Sequence, residues 1–377
     1  MQRLRAAMER SGLDALIAYS TASVQANVRY LTDYSPLLTG LQGLADGTEH
    51  MFGSCACLLP LDGEPVMRLD QPWDIERARA VSRIDDVRYA PAAADDLGPL
   101  IRQAGFSRVG IDNWHLFPAK EYLALAASAP EVSFEPTRIL TELRRVKSEA
   151  EISLIRKAAA LADEAVHVAL DAVHPGAIEY EIVLRCEEAM RSGGDIHLGA
   201  GTIGGCGSNS STGSAMPMRN VGRTISRGEW MLLDVCPRVD GYCGDIARAR
   251  LAGDLDDLDG GLQRIARAAI LINEEVRKAV RPGVSGRQLN ELANRVAREE
   301  GVLENKIDLL GHGIGLDVVD APSFYFDDSP LSIGEVITVE PCLLVPGVAG
   351  LRIEDMVLVT ENGGETLTSL ERSLVPM

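Results

Sequence analysis

Five side chains carry most of the chemistry that can be read from this sequence. His312 stands in LLGHGIGLDVVDAP (309–322), with Gly311 and Gly313 on either side and Gly315 beyond, so the backbone can fold closely around one imidazole. Before it, GEWMLLDVCPRVDGYCGDIARAR sets Asp234 and Asp245 among apolar residues on the two sides of an Asp240-Gly241 hairpin turn. After it, VITVEPCLLV and GLRIEDMVLVT do the same with Glu340 and Glu354 around the loop VPGVAG. In an antiparallel pair with a tight turn, Asp234 and Asp245 fall on one face as direct or diagonal neighbours. Carboxylates buried together repel one another and lose hydration, and a bound cation removes both objections. Four carboxylates and one imidazole suit a pair of divalent ions such as manganese, cobalt, iron or zinc, with bridging carboxylates and an activated water. Cys236 and Cys243 flank the two aspartates and are expected to point to the opposite face and pack there.

The elements that must hold these residues are legible in outline. Residues 13 to 135 alternate apolar runs (DALIAY, SCACLLPL, RVGID) with helical stretches (DIERARAV, AKEYLALAAS), a three-layer α/β pattern. Cys55 and Cys57 are two apart and should share one face of a strand. A well-marked helix follows, with Ser148 and Glu151 spaced as a capping box. Its apolar positions Ile152, Ile155, Ala159, Ala162, Val166, Ala169 and Val173 form one face, and Pro175-Gly176 is expected to end it. Downstream, HPGAIEYEIVLRCEEAM and RPGVSGRQLNELANRVA echo each other as a Pro-Gly turn and an amphipathic helix, each after a long helix and before a strand-rich segment. Such an echo suggests an internally duplicated domain with a site between its halves.

Composition narrows the class. A chain of 377 residues is too long for one ordinary core, which predicts two domains, 1–143 and 144–377. The net charge of −18 argues against nucleic acid or an anionic membrane as partner, since phosphates would be repelled. No apolar run approaches a membrane span, and the opening MQRLRAAMERSGLDALIAY is charged where a signal peptide needs an apolar core. Seven cysteines without a C-x-x-C pair favour free thiols, hence a cytoplasmic location.

On the motifs NVRYLTDY (27–34), VKSEAEISLIRKAA, DGYCGDIARA, GHGIGLDV, ITVEPCLL and GLRIEDMVLVTENG, the chain resembles the creatinase/prolidase/aminopeptidase P family, nearly end to end. The resemblance implies an α+β fold, with a pita-bread catalytic domain shared with methionine aminopeptidase preceded by a smaller creatinase-type three-layer domain. It also implies that Asp234, Asp245, His312, Glu340 and Glu354 are the ligands of two divalent metals, manganese favoured. Glu340 would in addition take a proton from the bridging water, Arg352 would support the metal carboxylates, and the protein would be a homodimer.

Departures from the family concern the substrate. Where peptidases of this group read GLDVHE, this chain reads GLDVVDAP, so Val319 replaces a substrate-contacting histidine, followed by Asp320. A second peptidase histidine is expected near Met218, in GCGSNSSTGSAMPMRNVGR, where there is none. Neither replacement can donate a hydrogen bond to a tetrahedral intermediate. Asp320 is then a candidate for proton transfer or for binding a substrate ammonium. Met218, Val319, Tyr30 and His197 are candidate substrate-pocket residues, and His50 and Trp73 lie on N-terminal loops that in this family often close over a neighbouring subunit's pocket. The favoured expectation is a dinuclear-metal hydrolase cleaving a C–N bond in a small amino-acid derivative or dipeptide by a metal-bridging hydroxide. The alternatives are an Xaa-Pro dipeptidase or aminopeptidase proper, a metal-dependent lyase resembling dimethylsulfoniopropionate lyase, and a binding protein on a catalytically dead scaffold.

Overall fold

The strand Ala15–Thr21 shows why the N-terminal half forms three layers. Leu16 and Ala18 pack on one side against Leu4, Met8, Val28, Tyr34 and Leu140, while Ala15, Ile17 and Tyr19 pack on the other against Leu97, Ile101 and Leu125. A strand apolar on both faces must be covered on both, and helices cover it. Strands 86–89, 66–69, 54–60, 15–21, 108–112 and 133–137 lie in that order in one six-stranded sheet. The runs DALIAY, SCACLLPL and RVGID are all strands of it, and DIERARAV and AKEYLALAAS are helices, as read. Cys55 and Cys57 share one apolar cluster, as their spacing requires.

The computed structural model describes residues 1–36, 42–45, 48–212, 223–324 and 327–375. Its contacts divide into two units, Met1–Arg144 and Arg145–Met377. In the second unit the capping box is present, with Ser148 Oγ accepting from the Glu151 amide. The helix it starts runs over Glu149–Leu170 and stops before Pro175. Ala172 and Val173 continue the apolar face from the following turn.

The echo noticed in the sequence is structural. Helix Glu149–Leu170, a turn with Gly176 at φ 94° and helix Glu179–Gly193 lead to the strands Ile203–Cys206, Trp230–Val235 and Ile246–Leu251. Helix Gly260–Ala279, a turn with Gly283 at φ 86° and helix Gly286–Glu299 lead to the strands His312–Gly313, Asp320–Ser323, Val336–Val339, Asp355–Thr360 and Gly363–Thr366. The residues just before the two second helices, Ile178 and Ser285, each make an isolated antiparallel bridge to the strand-rich segment that follows. The apolar faces of both halves are shared, since Trp230, Leu232 and Ala249 lie in one cluster with Ile272, Ile337, Leu351 and Val357.

Candidate metal centre

Each acidic pair sits where one ladder gives way to another. Trp230–Val235 pairs with Ile246–Leu251, and Arg238–Val239 pairs separately with Tyr242–Cys243 around Asp240 and Gly241. Both turn residues have positive φ, 49° and 83°, the conformation a tight hairpin turn demands. Between the two ladders lie Cys236-Pro237 and Gly244-Asp245. Val336–Val339 likewise pairs with Asp355–Thr360, and Cys342–Val345 with Ala349–Arg352, leaving Glu340-Pro341 and Ile353-Glu354 at the break. A proline cannot donate to a ladder, so Pro237 and Pro341 stand at the points where pairing is interrupted. Side chains there are released from the sheet and can converge. Asp234 is paired with Ala247, which makes Asp245 its diagonal neighbour on the same face.

Tertiary contacts bring the pairs to each other. The Glu354 amide donates to Ala247 O at 3.0 Å, and the Trp230 indole donates to Gly350 O at 2.8 Å. His312 is held by its amide, which donates to Thr338 Oγ1 at 3.1 Å, and by Nδ1 at 3.0 Å from Gly313 O. Nε2 is thereby directed at Glu340 Oε1, 3.2 Å away, and Asp245 Oδ2, 3.8 Å away. The flanking glycines are explained by crowding. A Cβ on Gly311 would sit 2.2 Å from Thr338 O, and one on Gly313 would sit 2.1 Å from Ala321 O. Arg352 pairs with Asp234, and its Nε lies 3.6 Å from Glu340 Oε2.

All five candidate ligands are buried, none more than 8% exposed. Burial, then the Asp234 charge, pushes the Asp245 carboxyl up to about 8. Burial and the neighbouring acids hold Glu354 well above the usual carboxylate range, and burial raises Asp234 against the pull of Arg352. Glu340 differs: burial would raise it, but the hydrogen bond and charge of His312, then Arg352, bring it below its ordinary value. Burial alone would lower the His312 imidazole, yet Glu340 and Asp245 carry it up to about 9. Burial and mutual repulsion thus disfavour full ionisation of these acids, a charge that a divalent cation would balance. Asp245, His312 and Glu354 each offer a ligand atom within 4.8 Å of the others, and so do Asp234, Cys236 and Asp245. Glu354 Oε2 is buried with no hydrogen-bond partner among the described residues. A buried carboxylate that has an unsatisfied oxygen and shares a cluster with an imidazole fits a cation.

Other predicted residues fall in several places. Asp320 is buried rather than loop-exposed, in the strand Asp320–Ser323, with Oδ1 accepting from the Ala321 amide. Its Oδ2 lies 3.4 Å from where a Cβ on Gly315 would be, so it borders the histidine loop. Val319, next to it, is 64% exposed. His197 is half-buried, two residues before Gly199, whose amide donates to Cys236 O at 2.7 Å. Tyr30 belongs to the N-terminal unit, where its hydroxyl reaches Leu143 O at 3.4 Å. Met218 lies outside the described residues, as does the His50 side chain. Trp73 is exposed and tilted against Phe52, ring centroids 5.5 Å apart.

The expectation for Cys236 is corrected. A two-residue step returns to the same face of a strand, and its sulfur lies 3.3 Å from Asp245 Oδ1. Cys243 packs as expected, buried among Ile152, Ile155, Ile314 and Val336. Two further residues were not anticipated. Thr338 links the His312 amide to Glu340 Oε1, 3.4 Å from its hydroxyl, and its two-residue spacing from Glu340 was a usable signal. Ile203 stands directly across from Asp234, a register with no local signature.

Both parts of the chain resemble known proteins. Residues 153–361 match the model of metallopeptidase family M24, and residues 1–146 match the creatinase/prolidase N-terminal domain. An Xaa-Pro dipeptidase of Pyrococcus furiosus is 32% identical over 239 residues, 63% of this chain and 67% of that protein. One of Pyrococcus horikoshii is 27% identical over 370 residues, 98% of this chain and 96% of that one. The crystal structure of the Pyrococcus horikoshii prolidase superposes with a TM-score of 0.83 at 26% identity, covering 99% of both chains. That of an X-Pro aminopeptidase from Thermotoga maritima shares the fold with a TM-score of 0.84 at 24% identity, covering 100% of this chain and 99% of that one. With a creatinase-type domain ahead of a pita-bread domain that carries the buried acids, the chain belongs to metallopeptidase family M24, as a hydrolase of the creatinase/prolidase group.

Proposed function

We propose that this chain hydrolyses the C–N bond of a dipeptide or a small amino-acid derivative at a centre of two divalent cations held by Asp234, Asp245, His312, Glu340 and Glu354. The observation that carries this reading is the Asp245–His312–Glu354 cluster, with the unpartnered Glu354 Oε2 inside it. An oxygen-rich donor set with one imidazole favours manganese among manganese, cobalt, iron and zinc. When bound, such cations supply Lewis acidity toward a substrate carbonyl and toward water.

The remaining roles belong to the protein. Glu340, 3.2 Å from His312 Nε2 and 3.6 Å from Arg352 Nε, is the carboxylate placed to accept a proton from the attacking water and pass it to the leaving nitrogen. Arg352 holds Asp234 and Glu340 in fixed orientation. Asp320, buried beside the histidine loop, is a second acid able to carry a proton or bind a substrate ammonium. Val319, Met218, His197 and Tyr30 remain candidates for contacting the substrate, and Val319 is exposed enough to do so. A homodimer is proposed from the family resemblance, and a cytoplasmic location from the free thiols. Among the described residues no helix is long and apolar enough to cross a membrane.

A second reading, an Xaa-Pro dipeptidase proper, is supported by the names of the relatives above, whereas the lyase alternative is not favoured because those relatives are peptidases. Turnover of an Xaa-Pro dipeptide panel and of small amides of amino acids, with bound manganese counted on the same sample, separates the readings. Dipeptide cleavage lost in Asp245→Ala makes the chain a dipeptidase despite Val319. Bound metal with only the small amides cleaved supports the altered pocket. Protein that binds no divalent cation overturns the centre.

A further inference from the structure

Cys236 is the feature that the catalytic reading leaves unused. It is buried, at the break between the two ladders of the first acidic pair, with its carbonyl fixed by the Gly199 amide and Pro237 following. Its sulfur lies 3.3 Å from Asp245 Oδ1, and Asp234, Cys236 and Asp245 each offer a ligand atom within 4.8 Å of the others. Asp245 is common to this group and to Asp245–His312–Glu354, so two adjacent positions share one carboxylate. In the second position Glu354, 1% exposed, has an oxygen with no partner among the described residues, which marks the cluster as built for a ligand. The other cysteines are differently employed. Cys243 receives the Arg238 Nε–H at 3.4 Å, Cys206 faces Glu179 at 3.2 Å, Cys342 is hydrogen-bonded with Arg352, and Cys55, Cys57 and Cys186 lie in apolar clusters.

We propose that Cys236 supplies a thiolate ligand to the cation held by Asp234 and Asp245, making that position a mixed sulfur and oxygen site selective for zinc or ferrous iron over manganese. The proposal rests on the dinuclear reading above and divides it: one position keeps nitrogen and oxygen donors, the other gains sulfur. Soft thiolate donors discriminate among cations where carboxylates alone do not. On binding, the S–H bond breaks, its proton leaves to solvent, and an S–metal bond forms, with no electron transferred.

The test uses full-length protein stripped of metal with a chelator and reloaded with cobalt(II). A near-ultraviolet sulfur-to-cobalt charge-transfer band is expected in the wild type, absent in Cys236→Ser and retained in Cys243→Ser. In competition between zinc and manganese, Cys236→Ser should lose zinc affinity by about tenfold or more, with manganese affinity changed far less. Cobalt bound by the wild type without such a band overturns the thiolate while leaving the centre standing, and this result needs no variant. A band that persists in Cys236→Ser assigns the sulfur elsewhere and also overturns it. No cobalt bound by the wild type overturns the centre and the proposal together.

Discussion

Arg352 serves two buried carboxylates with one guanidinium, Asp234 directly and Glu340 at 3.6 Å. Replacing it with methionine keeps the apolar stem and removes the charge, so both acids face each other uncompensated. Breaking a buried ion pair in this way costs about 3–5 kcal/mol. Metal-free Arg352→Met should unfold at correspondingly lower urea, and added manganese should recover part of the loss by taking over the charge balance. A deficit indifferent to manganese would mean that the arginine and the cations do not share carboxylates. Glu340 is tested differently. Glu340→Gln keeps an oxygen donor but not the base, and kcat should fall about 100- to 10,000-fold, with metal content retained and KM changed less. An unchanged kcat would move the proton-accepting role to Asp320.

At the scale of elements, the histidine loop depends on bare backbone. A Cβ on Gly313 would meet Ala321 O at 2.1 Å, and a backbone atom cannot rotate away as a side chain can. Gly313→Ala should therefore destabilise the second unit by about 1–3 kcal/mol, the usual range for overpacking, and weaken cation binding as His312 is displaced. Gly315→Ala is the contrast, because its Cβ would lie 3.3 Å from the flexible Lys147 Cε. Chemical denaturation and metal titration of the two variants should separate them, and equal effects would show that the close approach at Gly313 does not matter. The broken hairpins make the same point from the other side, since Pro237 and Pro341 interrupt ladders where the acids must leave them.

At the scale of the whole molecule, Asp355 ties the second acidic pair to distant chain. It accepts from Arg248 at 2.7 Å, Arg372 at 2.8 Å and Thr368 at 2.8 Å, and Arg277 lies 3.3 Å away. Asp355→Asn leaves those arginines without their counter-charge and should lower stability by about 3–5 kcal/mol in equilibrium unfolding. A much smaller loss would mean that the arginines find other partners. Cation binding works in the opposite direction: at a hundredfold excess over Kd it should add about 2.7 kcal/mol, removable by chelator, and a melting curve that ignores manganese would count against the centre. Much of this was legible beforehand. The strands of the first unit, the Ser148 cap, the duplicated Pro-Gly turns and the placement of each acid beside its hairpin are local patterns, expressed within a few residues by alternation, capping and turn chemistry. The choice of which pairs meet was not local. Asp245 reaches His312 and Glu354 only because two half-domains share one apolar cluster and the Glu354 amide docks on Ala247. Ile203 faces Asp234 through a register no neighbouring residue signals. The sequence by itself determined the five candidate ligands and their local frames, whereas chain closure, which sums weak contacts over long separations, decided their partners.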